Sequence, residues 1–148
     1  IDAFLKIILE KVCEYTGWPI GHIYKIKNEN DEVNLCSTGI WYTSTSDDDV
    51  QEFKEISEAY VFKAGEGLPG RVFDAGSVQT IFDVTIDDNF PRAKMANNIG
   101  VRGAFSFPIK NNENVIYVLE FFSLEPEQLS PPVLELLQQV SNQISRNY

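Results

Sequence analysis

Apolar residues recur every three to four positions over the first fifteen residues: Ile1, Leu5, Ile8, Val12 and Tyr15 form a stripe that Phe4 and Ile7 widen. That period predicts an amphipathic helix. Gly17 and Pro19 end it, because glycine suits the C-terminal cap and a proline soon afterwards cannot continue a helix. The period then shortens to two. Residues 21–27 alternate, with Ile23, Lys25 and Lys27 on one face and His22, Tyr24 and Ile26 on the other. After the polar turn 28–32, residues 33–42 alternate again, setting Leu35 and Trp41 against Cys36, Ile40 and Tyr42. Two such strands joined by a short turn predict an antiparallel hairpin.

Helical spacing returns over residues 47–57, burying Val50, Phe53 and Ile56. Ser46 is placed as its cap, and Asp47, Asp48 and Asp49 sit where the helix dipole favours negative charge. The three-Asp run lacks the spaced ligands and closing Glu of a calcium loop. Residues 60–63 read as short and extended, 78–84 as a strand, and 85–100 as a loop with a short helix over 92–98. Two long strands, 101–109 and 114–123, flank the turn 110–113. Ser130 and Pro131 then open a last helix with the stripe Val133, Leu136, Leu137, Val140 and Ile144. Hairpin-linked strands bracketed by helices predict an α+β class built on an antiparallel sheet.

At 148 residues the chain fits one domain. Its 12 Lys and Arg against 22 Asp and Glu give a formal charge of −10, which repels phosphate backbones and anionic lipid headgroups. Nucleic acid and direct membrane insertion are therefore not expected as partners. The apolar runs fall far short of the ~20 residues that span a bilayer, and the N-terminus lacks the pattern of a signal peptide. The expectation is a soluble, cytoplasmic chain. Because it starts at Ile1 within a predicted helix, it reads as a piece excised from a longer protein. Cys13 and Cys36, without C-x-x-C spacing and with His22 as the single histidine, are too few for a zinc site. They read as small buried apolar side chains, with one disulfide left open.

Gly65-Glu66-Gly67-Leu68-Pro69-Gly70 matches the dinucleotide pattern G-x-G-x-x-G. That pattern works only between a buried parallel strand and a long helix whose N-terminus meets the pyrophosphate. Here the preceding segment is short, residues 71–75 leave room for barely five helical positions before Gly76, and Pro69 removes a backbone donor. The glycines belong instead to a longer pattern. Residues 62–72 (FKAGEGLPGRV), Ile81-Phe82-Asp83-Val84, Asn89-Phe90-Pro91-Arg92-Ala93 and residues 100–109 (GVRGAFSFPI) together resemble a GAF domain. The flanks Trp18-Pro19-Ile20-Gly21-His22-Ile23-Tyr24 and Val118-Leu119-Glu120-Phe121-Phe122-Ser123 agree. The resemblance spans nearly the whole chain. It is greatest to the GAF domains of bacterial multidomain signalling proteins, sensor histidine kinases and diguanylate cyclases. It implies a GAF-like central antiparallel sheet with the N- and C-terminal helices on one face. A ligand pocket region lies on the other, roofed by the irregular middle. In that frame Gly65 and Gly67 reverse the chain, Pro69 fixes the next turn, and Leu68 and Val72 plug the core.

GAF-like domains recognise cyclic nucleotides, bilins, haem and small metabolites. Covalent bilin attachment needs a cysteine in the second half of the domain, which this chain lacks. The residue set of the cyclic-nucleotide members is matched only in fragments, at Asn89-Phe90. Haem would rest on His22 alone, and a histidine beside glycine on a strand reads as a hydrogen-bonded structural residue. No cofactor is indicated, no catalytic or metal-binding residue is assigned, and the ligand's identity is left unknown. Arg92 and Arg102 lie in or beside the roof, where guanidinium forks read carboxylates and phosphates. Their alternative use is ion pairing with Asp83, Asp87 or Asp88. Trp41, Phe82, Phe90 and Phe105 either line the pocket or form plain core. Glu120, alternating with Val118 and Phe122, is expected partly buried and hydrogen-bonded to backbone. The candidate binding set is thus Trp41, Phe82, Asp83, Phe90, Arg92, Arg102 and Phe105. The expected function is a non-catalytic sensory domain that binds a small ligand, or relays a conformational signal, to an output domain in the same chain. It is expected to dimerise through the terminal helices. The alternatives are a structural dimerisation module whose own side chains fill the pocket, and an enzyme like the free methionine sulfoxide reductases, which needs reactive thiols.

Overall fold

Two turns with left-handed backbone organise the sheet. Asn30 and Asp31 (φ 53° and 64°) close the first hairpin, and Asn112 and Glu113 (φ 52° and 69°) close the second. Positive φ at both central residues gives the turn whose twist matches the flanking strands. The computed structural model describes residues 1–96 and 98–147, without the side chains of Asp47, Asp48 and Asp49. In chain order the elements are α1 (Asp2–Thr16), β1 (Ile20–Glu29), β2 (Glu32–Thr43), α2 (Asp47–Ala59), α3 (Gly67–Ala75) and β3 (Gln79–Ile81). A 3-10 turn (Val84–Ile86) follows, then α4 (Arg92–Met95), β4 (Ala104–Asn111), β5 (Asn114–Phe122) and α5 (Pro131–Asn147). The strands form one antiparallel sheet in the order β2-β1-β5-β4-β3.

Each sheet face carries its own apolar core. Leu5, Leu9 and Val12 of α1 and Leu137 of α5 pack on Ile23, Phe105, Phe107, Leu119 and Phe121. On the opposite face α2, α3 and the irregular segment after β3 cover Tyr24, Leu35, Val118 and Phe122. The strand alternation read from sequence is retained across an irregularity: His22 pairs with Trp41, but Tyr24 pairs with Ser37, so β2 carries two extra residues around Gly39 (φ 74°). An even insertion keeps Leu35 and Trp41 on one face.

Several expectations shift. On α1 the sheet takes Leu5, Leu9, Val12 and Cys13, leaving Ile1, Phe4, Ile7 and Tyr15 exposed. On α5 Leu137 and Ser141 are buried while Leu136 is exposed. The strand expected over 78–84 shrinks to β3, because Asp83 accepts hydrogen bonds from the Thr85 N–H and hydroxyl and starts the 3-10 turn. The short helix expected over 92–98 ends at Met95, and Asn97 lies outside the described residues. The expected role of the Asp47, Asp48 and Asp49 side chains at the start of α2 also lies outside them. Helix α3 begins at Gly67, earlier than the five positions expected after Gly70. Gly70 is required there: a Cβ would lie 2.5 Å from the Lys63 carbonyl oxygen. Among the described residues no helix is long and apolar enough to cross a membrane.

Candidate functional site

The two central strands put one histidine and one carboxylate side by side. In the β1–β5 register His22 faces Glu120 directly. Both side chains point to the face covered by α2 and the irregular segment, and both are fully buried. Arg92, first residue of α4, reaches down from that covering segment and is buried as well. Its guanidinium grips Glu120 with both ends, Nη2 donating to Oε1 at 2.8 Å and Nη1 to Oε2 at 2.9 Å. Nη1 also donates to the hydroxyl of Ser57 at 2.9 Å, and Tyr24, which donates to the Ser57 carbonyl, lies 3.4 Å away. The guanidinium carbon lies 4.7–5.9 Å from the rings of Phe90, Phe62, Phe53, Phe122 and Tyr24. Such an aromatic enclosure favours a cation and excludes water.

His22 completes the network. Nδ1 lies 2.9 Å from Glu120 Oε2 and Nε2 lies 2.7 Å from Ser37 Oγ, which also accepts the Gly39 N–H. This pattern suits a neutral ring that donates from Nδ1 and accepts the Ser37 hydroxyl at Nε2. Burial dominates in lowering the His22 pKa, with Glu120 opposing. Burial also opposes charge on Glu120, yet Arg92 and the His22 N–H hold its carboxyl below the ordinary carboxylate range. Among the described residues two buried side-chain polar atoms lack a hydrogen-bond partner, Arg92 Nε and Trp41 Nε1. Both are donors. Trp41 stacks on His22 at 3.9 Å, and Phe53 touches both the Trp41 ring and the Arg92 guanidinium.

The residues singled out in the sequence separate into three places. Arg92, Phe90 and Trp41 belong to this network or its wall. Arg102 and Asp83 form a second, bidentate pair nearer the surface, at 2.8 and 3.0 Å, and Arg102 holds the Asp83 carboxyl far below its usual range. Arg102 also borders a cleft of about 260 Å³ with Thr85, Ile99 and Leu124. Phe82, next to Asp83 in sequence, does not line that cleft and is 54% exposed. Phe105 lies across the sheet, edge-on to Trp18 at 4.8 Å and stacked on Phe121 at 4.7 Å, because its position in β4 points it at the terminal helices. Ion pairing is realised for Arg102 with Asp83, but Arg92 takes Glu120 in place of Asp83, Asp87 or Asp88; Asp87 pairs with Arg71. Glu120 is correspondingly bound by side chains, not backbone.

The thiols lie elsewhere. Cys13 packs in the core under α1, where burial pushes its thiol up to about 12. Cys36 pairs across from Lys25, hence on the face of Ile23 and away from Arg92. Among the described residues no cluster of three or more His, Cys, Asp or Glu is placed to hold a metal.

The sequence profile of the family described as GAF domain matches residues 1–147. This chain belongs to the GAF domain family. Solved structures agree with the fold. A free methionine-R-sulfoxide reductase from Neisseria meningitidis, in complex with its substrate, superposes with a TM-score of 0.71 at 16% identity, over 98% of this chain and 75% of that one. The GAF domain of a phosphoenolpyruvate-protein phosphotransferase from Coxiella burnetii gives 0.72 at 14% identity, over 98% and 80%. NreA from Staphylococcus aureus, mutated in its nitrate binding site, gives 0.63 at 15% identity, over 87% and 89%. No curated protein sequence matches significantly. At these identities the likeness is one of fold. Within this GAF domain, the space between the sheet and its roof is filled by Arg92 and its aromatic enclosure.

Proposed function

We propose that this GAF domain is a non-catalytic regulatory domain whose two-state element is the roof, latched to the sheet by Arg92 and Glu120. One observation carries the reading: a fully buried ion pair, Arg92–Glu120, joins the irregular segment to the central strand β5. A ligand that prefers the unlatched arrangement shifts the roof, and β1 and β5 pass the shift to the terminal helices on their other face. An output domain in the same chain receives it, with a second copy paired through α1 and α5. The exposed Ile1, Phe4, Ile7 and Leu136 give those helices apolar surface for such pairing.

Two structures of this fold, a substrate-bound reductase and a nitrate-binding protein, support accommodation of small polar molecules on this scaffold. The reductase reading is disfavoured by the thiols, which sit on the face opposite Arg92. Native mass spectrometry of the purified domain, combined with a thermal-shift screen of metabolites, tests the proposal. Retained mass that leaves on denaturation, or a metabolite raising Tm, is expected for a sensor. A bare domain with no responsive metabolite and only monomer on sedimentation overturns it.

A further inference from the structure

The two central strands part before they end. The β1–β5 pairing stops at Lys25 and Tyr117, although β1 runs on to Glu29 and β5 begins at Asn114. A bulge marks the place: β4 pairs Ile109 with Tyr117 but Lys110 with Val115, so Ile116 is an extra residue that bends β5. A cleft of about 620 Å³ occupies the opening, lined by Ile26 and Asn28 of β1, Asn114 and Val115 of β5, and the end of α3 from Phe73 to Gly76. That volume is ample for a small molecule.

Hydrogen-bond parity tells what the opening exposes. Glu29–Glu32 and Asn111–Asn114 flank two-residue turns and so are hydrogen-bonded pairs; the next pairs, Asn28–Val33 and Lys110–Val115, are not. Two sets of bonds agree. Leu35, opposite Ile26, bonds outward to Phe62 through both its N–H and its C=O, and the Lys110 N–H donates to Ser145 Oγ, away from β5. Asn28 and Val115 therefore turn their backbone toward the opening, where neither has a partner in the ladder. The side chains around it are unpaired as well. Among the described residues Asn28, Asp74, Lys110, Glu113 and Asn114 make no side-chain hydrogen bond or ion pair. Lys110 Nζ stands 3.1 Å from where a side chain on Gly76 would begin, so glycine there makes room for the ammonium. Half-buried Ile26, Phe73 and Val115 supply an apolar floor.

We propose that this cleft binds a free di- or tripeptide. One peptide unit pairs with the N–H and C=O of Asn28, continuing the ladder that β5 has left, and a side chain rests on the floor. The lining carries both signs of charge, as a free peptide does: the ligand carboxylate takes Lys110, and its ammonium takes Asp74 or Glu113. Length follows from the space. Four residues of β1, 26–29, lie beyond the last β1–β5 pair, and a tripeptide at ~3.3 Å per residue spans about 10 Å. The assignment goes beyond the regulatory reading and does not rest on it, since none of Arg92, Glu120, His22 and Ser57 lines the cleft.

Alanyl-leucine serves as probe, with leucine and the uncharged N-acetyl-alanyl-leucine amide as controls, in NMR titrations of the ¹⁵N-labelled domain at pH 7. Alanyl-leucine is expected to shift the backbone amides of Asn28 and Lys110 saturably. The Asn28 amide is expected to exchange with solvent at close to the unprotected rate in the free domain. At ten times Kd the peptide slows it about elevenfold. Leucine has no internal peptide unit and is expected to leave that exchange rate unchanged. The uncharged analogue is expected to bind at least about tenfold more weakly, and Lys110→Met to weaken alanyl-leucine by a similar factor. The analogue tests the charges on wild-type protein, should that variant fail to fold.

Absence of saturable shifts with alanyl-leucine overturns the site. An Asn28 amide already protected in the free domain, or not slowed by bound peptide, overturns the ladder pairing. Equal affinity for the uncharged analogue overturns the roles of Lys110, Asp74 and Glu113. Each of these results leaves the Arg92–Glu120 latch to be judged by its own variants.

Discussion

Glu120→Gln is the most informative single perturbation of the interior. The amide is nearly isosteric but carries no charge, so Arg92 stays cationic inside a ring of Phe53, Phe62, Phe90 and Phe122 with no counter-ion. Removing one partner of a buried pair typically costs ~3–5 kcal/mol, because the survivor keeps its desolvation penalty and loses its compensation. For a chain of this size each kcal/mol lowers Tm by ~2–4 °C, giving a drop of roughly 6–20 °C. Arg92→Met is expected to cost less, since Glu120 retains His22 and the two can share a proton. That cost is smaller at pH 6 than at pH 8. The double variant Arg92→Met, Glu120→Gln removes both charges and lets the glutamine oxygen accept the His22 N–H. It is expected to be more stable than Glu120→Gln alone. Urea unfolding followed by the fluorescence of Trp18 and Trp41 supplies the four free energies of the cycle. If the double variant costs the sum of the singles to within ~0.5 kcal/mol, the groups are not coupled and the latch is refuted.

Acidification of the wild-type domain provides a second check. His22 and Glu120 both titrate below their unfolded values, so at falling pH the unfolded chain binds more protons. Stability is expected to be greatest at about pH 7.5, to fall first as pH drops below ~6.5 and again below ~4.3, with the first stage missing in His22→Gln. It is expected to fall also above ~8.5, where the unfolded chain ionises Cys13 while burial keeps the folded thiol protonated. Thiol labelling separates the cysteines: iodoacetamide at pH 7.5 on folded protein should leave Cys13 unmodified, its thiol being pushed up to about 12, until urea exposes it. Rapid labelling of Cys13 in native buffer would contradict its burial under α1. Gly70→Ala should destabilise the domain by more than ~2 kcal/mol, because the new Cβ meets backbone at 2.5 Å, whereas Gly17→Ala, with open space around it, pays only the left-handed strain of about 1 kcal/mol. Equal urea midpoints for the two variants would show that the loop around Gly65 and Gly70 yields.

What the sequence made legible follows from the range of the interactions involved. Strand faces, the two hairpin turns and the ends of α1 depend on neighbours within a few residues, and period-two alternation carries them. The inward face of α1 was harder: Leu5, Leu9, Val12 and Cys13 and the exposed Ile1, Phe4, Ile7 and Tyr15 are interleaved, so periodicity gives a wide stripe and only the sheet selects its buried half. The interior site lay further out of reach. Glu120 and His22 are 98 residues apart and Arg92 meets Glu120 across 28, through an irregular segment that no periodicity describes. A signal was nevertheless present. Glu120 is the one charge among the apolar residues at 115–122, and His22 interrupts an apolar run on the strand that pairs beside it. A lone acid and a lone imidazole on adjacent buried strands leave an unmet charge, and the chain must bring a cation to it. Of the two arginines within the roof segment, Arg102 is tied to the end of β5, its own backbone N–H donating to the Ser123 carbonyl, and its side chain finds Asp83 near the surface. Arg92, carried on the short α4 above the sheet, is the one whose fork can descend to Glu120.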